Sequence, residues 1–255
     1  MILQFYYCDP APAPSRDPAF ARPRRHPLTL NLLQRYALIR ANVEALHIIQ
    51  VGLTLSDAIG NLPCNPYNNG TYVRYVWEFN FRDFDVSRDS YAPSSIELLK
   101  ASGIDFQKNQ VWGIDSCKFA AHLATSGLLS FGKFSPVSWV TFQGAYDFAF
   151  LVKMLTCNRK LPKAVEEFLD LVRFFFGKRV FDVKHLSKHC RGLYGGLEQI
   201  ASVVQVERAV LGSPHQSGSD SLLICQVFYK IASPVNSSLI DRPEHMGALF
   251  DLELQ

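Results

Sequence analysis

The sequence predicts an α/β fold, a mixed sheet flanked by helices. Three observations carry the prediction. Two strand-like runs, LHIIQVGLTLSD and YVRYVWEFNF, bracket an NG-containing turn cluster, which predicts an antiparallel hairpin. Beyond them, helical and strand-like stretches alternate to about residue 231. With 255 residues, 48% hydrophobic and 19% charged, the chain can also bury one sizeable core.

The first 27 residues form a segment apart. A short apolar stretch, ILQFYYC, runs into DPAPAPSRDPAFARPRRHP, whose prolines and arginines predict a solvated linker. Folded sequence is expected from 28 to 232, with a tail from 233 to 255. LNLLQRYALIRANVEAL has helical spacing through Leu32, Leu33, Tyr36, Ile39, Val43 and Leu46. After the hairpin, residues 92–128 read as mostly helical. PSSIELLKASG predicts a serine-capped helix with a glycine stop, and DSCKFAAHLATSG a helix starting at Asp115. VSWVTF is a compact strand, YDFAFLVKML a helix after it, and PKAVEEFLDLVRFFF an amphipathic helix after Pro162. RVFDV is a further strand, at whose end Asp182 is placed to cap a following helix. GGLEQIASVV and SDSLLICQVFYKI are the last two helices.

Composition narrows the classes of partner. A net charge of +3 neither demands nor excludes nucleic acid. Aromatics at 13% read as core material. The six cysteines form no close CxxC pair and no signal peptide is read, so a reducing cytoplasmic or nuclear location is expected. No apolar run approaches the roughly 18 residues of a membrane span, so no membrane partner is expected.

Candidate chemistry centres on HQSGSDSL. On one continuous helix His215 and Asp220 would lie about 140° apart. With His215 in a loop and Asp220 in a first helical turn, both can face one point. Gly218 relaxes the backbone, and Ser217 or Ser219 is the expected cap. Asp147 occupies a similar first-turn position after VSWVTF. Either aspartate alone is also what a helix dipole favours; two, with a histidine beside one, are the tools of metal-assisted hydrolysis. In FDVKHLSKHC, His185 and His189 are four apart, but no HExxH glutamate is present and lysines interleave, so the stretch reads as a solvated helix end. Glu78, Asp83, Asp85 and Asp89 in EFNFRDFDVSRDS read as the polar side of a strand and the turn after it.

YVWEFNFRDFD, SIELLKASGIDF, SWVTFQGAYDFAFLVKMLT, FDVKHL, GLYGGLEQIA and HQSGSDSLL, in that order, closely resemble the plant Caf/Pop family of poly(A) deadenylases, over about residues 28–231. The resemblance implies an RNase H-like fold and a 3′-to-5′ exoribonuclease of the DEDD type. It implies Mg²⁺ or Mn²⁺ as the metal and poly(A) RNA as substrate. The implied partners are the scaffold and second deadenylase subunit of the Ccr–Not complex. By resemblance Asp147 and Asp220 match metal ligands and His215 the general base, which would take a proton from the attacking water.

Two departures stand out. The family has a histidine more often than glutamine at Gln143. Its first motif, Asp-Thr-Glu-Phe-Pro-Gly, which supplies an aspartate and a glutamate from the first strand, has no counterpart here. The nearest candidate is Asp9, after ILQFYYC, and the glutamate position would then be Ala11. Two divalent ions about 3.5–4 Å apart bring four positive charges, against two or three carboxylates here. The alternative expectation is therefore a catalytically impaired relative that serves as a scaffold- or RNA-binding module. If the first strand were missing altogether, the sheet would expose an edge.

Overall fold

The strand IIQVGLT is buried at all seven positions because it is paired on both sides and covered on both faces. The computed structural model describes residues 2–7, 30–67, 71–209, 214–232 and 237–253. Strand β1 (Ile2–Tyr7) precedes helix α1 (Leu32–Ala45) and β2 (Ile48–Thr54). A small hairpin, β3 (Cys64–Pro66) with β4 (Tyr72–Arg74), interrupts the path to β5 (Trp77–Asn80). Helices α2 (Pro93–Ala101), α3 (Phe106–Trp112) and α4 (Ser116–Thr125) follow, then β6 (Trp139–Thr141), α5 (Ala145–Leu155) and α6 (Val165–Phe176). Strand β7 (Val180–Asp182) runs directly into α7 (Val183–Ser187), followed by α8 (Leu197–Val203), α9 (Ser217–Ile231), α10 (Ser237–Ile240) and a 3-10 turn at Pro243–His245.

The five-stranded sheet has the order β5-β2-β1-β6-β7. β1 pairs antiparallel with β2, from Ile2 opposite Thr54 to Tyr7 opposite Ile48, and parallel with β6, with Ile2 opposite Val140. β2 and β5 are antiparallel, and β6 and β7 parallel. The sheet is mixed, as the sequence predicts. The N-terminal stretch ILQFYY is its middle strand, so the sheet keeps a strand at that position. The predicted hairpin exists as β2 with β5, but the chain between them folds a second hairpin instead of one tight turn.

Alternation along the strands sorts side chains onto two faces. Trp139 and Val180 join Tyr36, Val43, Phe148, Leu151, Phe168 and Phe176 from α1, α5 and α6. Val140 and Phe181 face the other way, to Leu186, Ile200, Leu223, Ile224, Val227 and Phe228 from α7, α8 and α9. Trp139 meets Phe176 edge-on at 4.9 Å between ring centroids, a favoured aromatic geometry. Helix ends follow local chemistry. Asn31 and Gln34 form a capping box at α1, and the Asp105 and Asp115 side chains accept from the N–H of Lys108 and Lys118 at α3 and α4. Two expected serine caps are absent. α2 is entered from Ala92 through Pro93, and α9 starts at Ser217 from Gln216, neither with a side-chain cap. Proline's fixed φ at the start of α2 replaces the capping bond. In α9 the first N–H groups find partners on the sheet instead.

Candidate active site

Register places both candidate aspartates at the same end of the sheet. With Ile2 opposite Val140, the second half of β1 lies level with residues 142–144, the turn that opens α5. That turn is tightly determined. Gln143 is left-handed, at φ 56°. Gly144 permits a close approach, since a Cβ there would lie 1.9 Å from Thr141 Oγ1. The Asp182 carboxylate, fully buried, accepts the backbone N–H groups of Gln143 at 3.0 Å and Gly144 at 2.9 Å. It also accepts from Lys184 at 2.9 Å, as the cap of α7, and from Phe250 at 3.0 Å. Burial pushes this carboxyl above its usual range, and the four N–H donors pull it back. Asp182 thus ties β7, α7, the C-terminal segment and the start of α5 together. Its role as a helix cap is legible in the sequence, and its other three bonds are not. Asp147 sits in the first turn of α5, 3% exposed.

α9 begins over the same part of β1. Gln50 stands opposite Tyr6, and Gly52 opposite Gln4. The Ser217 N–H donates to Gln50 Oε1 at 2.8 Å, and a Cβ on Gly52 would lie 1.8 Å from the Ser217 carbonyl oxygen. Gln50 in turn donates to Asn80 Oδ1 at 2.9 Å, and the Gly218 N–H donates to Glu78 Oε2 at 3.0 Å. The polar side of β5 therefore receives the start of α9, while Asp83 accepts from the Ser116 N–H at α4. His215 lies just before α9, exposed and left-handed at φ 63°, a backbone state costing about 1–3 kcal/mol that often marks functional loops. Its backbone N–H bonds the Asp220 carboxylate. The loop-to-helix junction read in HQSGSDSL is thus the observed one, with Asp220 in the first turn and 7% exposed. Asp9 lies outside the described residues, two positions past the end of β1.

Arg208, on the loop after α8, is a neighbour the sequence did not reveal. Its guanidinium reaches Asp220 Oδ1 at 2.6 Å, Ser219 Oγ at 2.5 Å and the Glu198 carboxylate. Burial pushes the Asp220 carboxyl up, and the His215 N–H pulls it back. The carboxyl is raised to about 7, and a guanidinium at 2.6 Å favours its charged form. In kind, the two carboxylates are donors that suit one hard divalent cation, with Asp220 Oδ1 already held by Arg208. Mg²⁺ is commonly held by one or two carboxylates with water and substrate phosphate completing the shell, and Asp147 and Asp220 are of that kind. The donor set does not extend to two on β1. The strand residues opposite Gly52 and Gln50 are Gln4 and Tyr6, and ILQFYY contains no carboxylate.

Probable CCR4-associated factor 1 homolog 7 of Arabidopsis thaliana is 43% identical over 226 residues, covering 88% of this chain and 78% of that protein. The chain belongs to the CCR4-associated factor 1 family. A second member of this family, poly(A) ribonuclease pop2 of Schizosaccharomyces pombe, is 42% identical over 206 residues, covering 81% of this chain and 57% of that one. No protein-family model matches. Among solved structures, S. pombe Pop2p in its Mg²⁺- and Mn²⁺-bound form superposes with a TM-score of 0.78 at 36% identity, over 98% of this chain and 90% of Pop2p. The yeast CAF1 structure obtained with the NOT1 MIF4G domain gives 0.68 at 24% identity, over 98% and 86%. Exonuclease I gives 0.55 at 12% identity, over 94% and 42%, a likeness of fold alone. The fold is RNase H-like, as expected from the resemblance.

Proposed function

We propose that this chain is a divalent-metal-dependent 3′-to-5′ exoribonuclease that shortens poly(A) and works as a subunit of the Ccr–Not complex, beside a second deadenylase, in cytoplasm and nucleus. The observation that carries the reading is the pair of buried first-turn aspartates, Asp147 and Asp220, on helices that both open at the second half of β1. Membership of the CCR4-associated factor 1 family supports the substrate class and the scaffold partner. Asp147 and Asp220 would hold a Mg²⁺ or Mn²⁺ ion, which when bound supplies Lewis-acid polarisation of the phosphate and a more acidic water. His215, held outside the helix by its left-handed backbone, would accept the proton of the attacking water. Arg208 would keep Asp220 ionised and oriented.

The missing carboxylates of β1 predict a slow enzyme, because one cation cannot stabilise attacking and leaving oxygens together. The same absence favours a second reading, in which the chain binds the scaffold or RNA without cutting. One assay separates them. Purified protein is incubated with 5′-labelled oligo(A) and Mg²⁺ or Mn²⁺, beside Asp147→Ala. Stepwise shortening that disappears in the variant supports the nuclease. A folded protein that leaves the oligonucleotide intact, yet is retained by a NOT1 MIF4G domain, supports the binding module.

A further inference from the structure

Away from the α5/α9 edge, three imidazoles meet. His185 is in α7, His189 follows one turn later, and His245 closes the 3-10 turn of the C-terminal segment. Their ligand nitrogens all lie within 4.8 Å of one another, and their ring centroids are 4.4–5.1 Å apart. His185 is 7% exposed and His245 1%, so of the pair read as a solvated helix end only His189 is at the surface. His189 is exposed and opens the cluster to solvent.

The chemistry of the cluster matches a metal centre better than a packed core. Three clustered imidazoles cannot all be charged without repulsion. Burial first, and then the neighbouring imidazoles, push His189 and His245 below the usual histidine range. Neutral rings keep ligand lone pairs. His185 Nδ1 bonds Glu253 Oε1 at 2.8 Å, and its Nε2, on the cluster side, shares a 3.0 Å hydrogen bond with His245 Nδ1 that a bound ion would replace. A carboxylate behind a histidine is the usual support of a metal-bound imidazole. Glu253 is itself held by Lys188 Nζ at 2.8 and 2.9 Å, and these partners depress its carboxyl to about 2. Charges around the cluster balance: Lys188 and Arg242 oppose a cation, and Glu253 and Glu244 offset them.

We propose that His185, His189 and His245 form a binding site for a zinc-type divalent transition metal, with a fourth position open to water. Imidazole ligands select Zn²⁺ and its neighbours over Mg²⁺ or Mn²⁺, so this site is chemically distinct from the carboxylate edge and does not rest on the nuclease reading. Tetrahedral ligation with Zn–N near 2.0–2.1 Å sets ligand nitrogens about 3.3 Å apart. The present spacing, 3.0 Å for His185 Nε2 and His245 Nδ1 and no more than 4.8 Å for any pair, brackets that value. The bound metal clips the C-terminal segment to α7. That segment donates the Gly247 N–H to the Val180 carbonyl at 2.8 Å and the Phe250 N–H to Asp182 at 3.0 Å. The clip therefore secures the edge strand and the carboxylate that shapes the start of α5.

The test is calorimetric titration of the full chain with Zn²⁺, with thermal melts alongside. One Zn²⁺ per chain is expected, with a Tm rise of about 5 °C at a hundredfold excess over Kd. His189→Gln, at an exposed position that leaves the fold intact, is expected to weaken binding at least about 100-fold and abolish the Tm rise. Glu253→Gln is expected to weaken it about 10–100-fold. Absence of Zn²⁺ binding overturns the proposal. So does binding that His189→Gln leaves unchanged, which would place the metal on the exposed cysteines or the carboxylate edge.

Discussion

Two polar clusters of this molecule are built in opposite ways. At the α5/α9 edge, each aspartate is delivered by its own short stretch: a strand or loop, then a first helical turn with a glycine just before it or within it. In the histidine cluster, two members are four residues apart but the third comes from 60 residues away, and the supporting carboxylate from 68. The first kind of site is written locally and then aligned by the sheet. The second exists only because the C-terminal segment docks against β7 and α7. What they share is Asp182, whose two oxygens hold the turn before Asp147 on one side and the segment carrying His245 and Glu253 on the other.

The largest expected effect breaks the edge alone. Asp147→Ala should lower the rate of oligo(A) shortening at least about 1,000-fold, roughly 4 kcal/mol, while zinc binding measured by calorimetry stays unchanged. Asp182→Asn should disturb both clusters at once. An amide cannot accept all four buried N–H groups, so a denaturant melt should show a loss of about 3 kcal/mol, accompanied by weaker zinc binding. Sharpening the edge should be possible as well. Gln4→Asp combined with Tyr6→Glu puts two carboxylates two apart on β1, opposite Gly52 and Gln50, and should raise Mg²⁺-dependent shortening about 100-fold, near 2.7 kcal/mol. An unchanged rate would mean that the edge does not lack carboxylates at those positions. The smallest effect isolates the other cluster. The Glu253 carboxyl is depressed to about 2 by His185 and Lys188. A depressed acid stabilises the fold above its unfolded value and loses that contribution as pH falls through the folded one. Stability should therefore drop by about 2 kcal/mol between roughly pH 4.5 and 2, and Glu253→Gln should flatten that part of a pH-dependent melt.

Much of the edge is legible in the sequence. The helices carrying Asp147 and Asp220, the non-helical His215 and the cap at Asp182 follow from glycine placement and apolar spacing, which are local. Arg208 could not be read this way, because nothing in VERAV marks an arginine that will reach into a first turn 12 residues later. Gln50 and Glu78 were likewise hidden. Each is an ordinary strand residue until α9 is laid across the sheet and its uncapped N–H groups need acceptors. Ser217 looked like a cap for the same reason. Its hydroxyl chemistry is right, but the sheet supplies the acceptors and the helix starts one residue earlier.

Local pattern decided the α/β class, most of the helices and strands, the positions of the two aspartates in their first turns, and the absence of any carboxylate in ILQFYY. These depend on backbone propensity and side-chain periodicity within a few residues. Only tertiary structure decided that ILQFYY is the middle strand and that its positions 4 and 6 face Gly52 and Gln50 in register. The same holds for the guanidinium at Asp220 and for the buried histidine that turns a lysine-flanked pair into a triad. Those facts depend on which distant surfaces meet, and an apolar strand or a lone histidine carries no mark of its eventual neighbour until the core has closed around it.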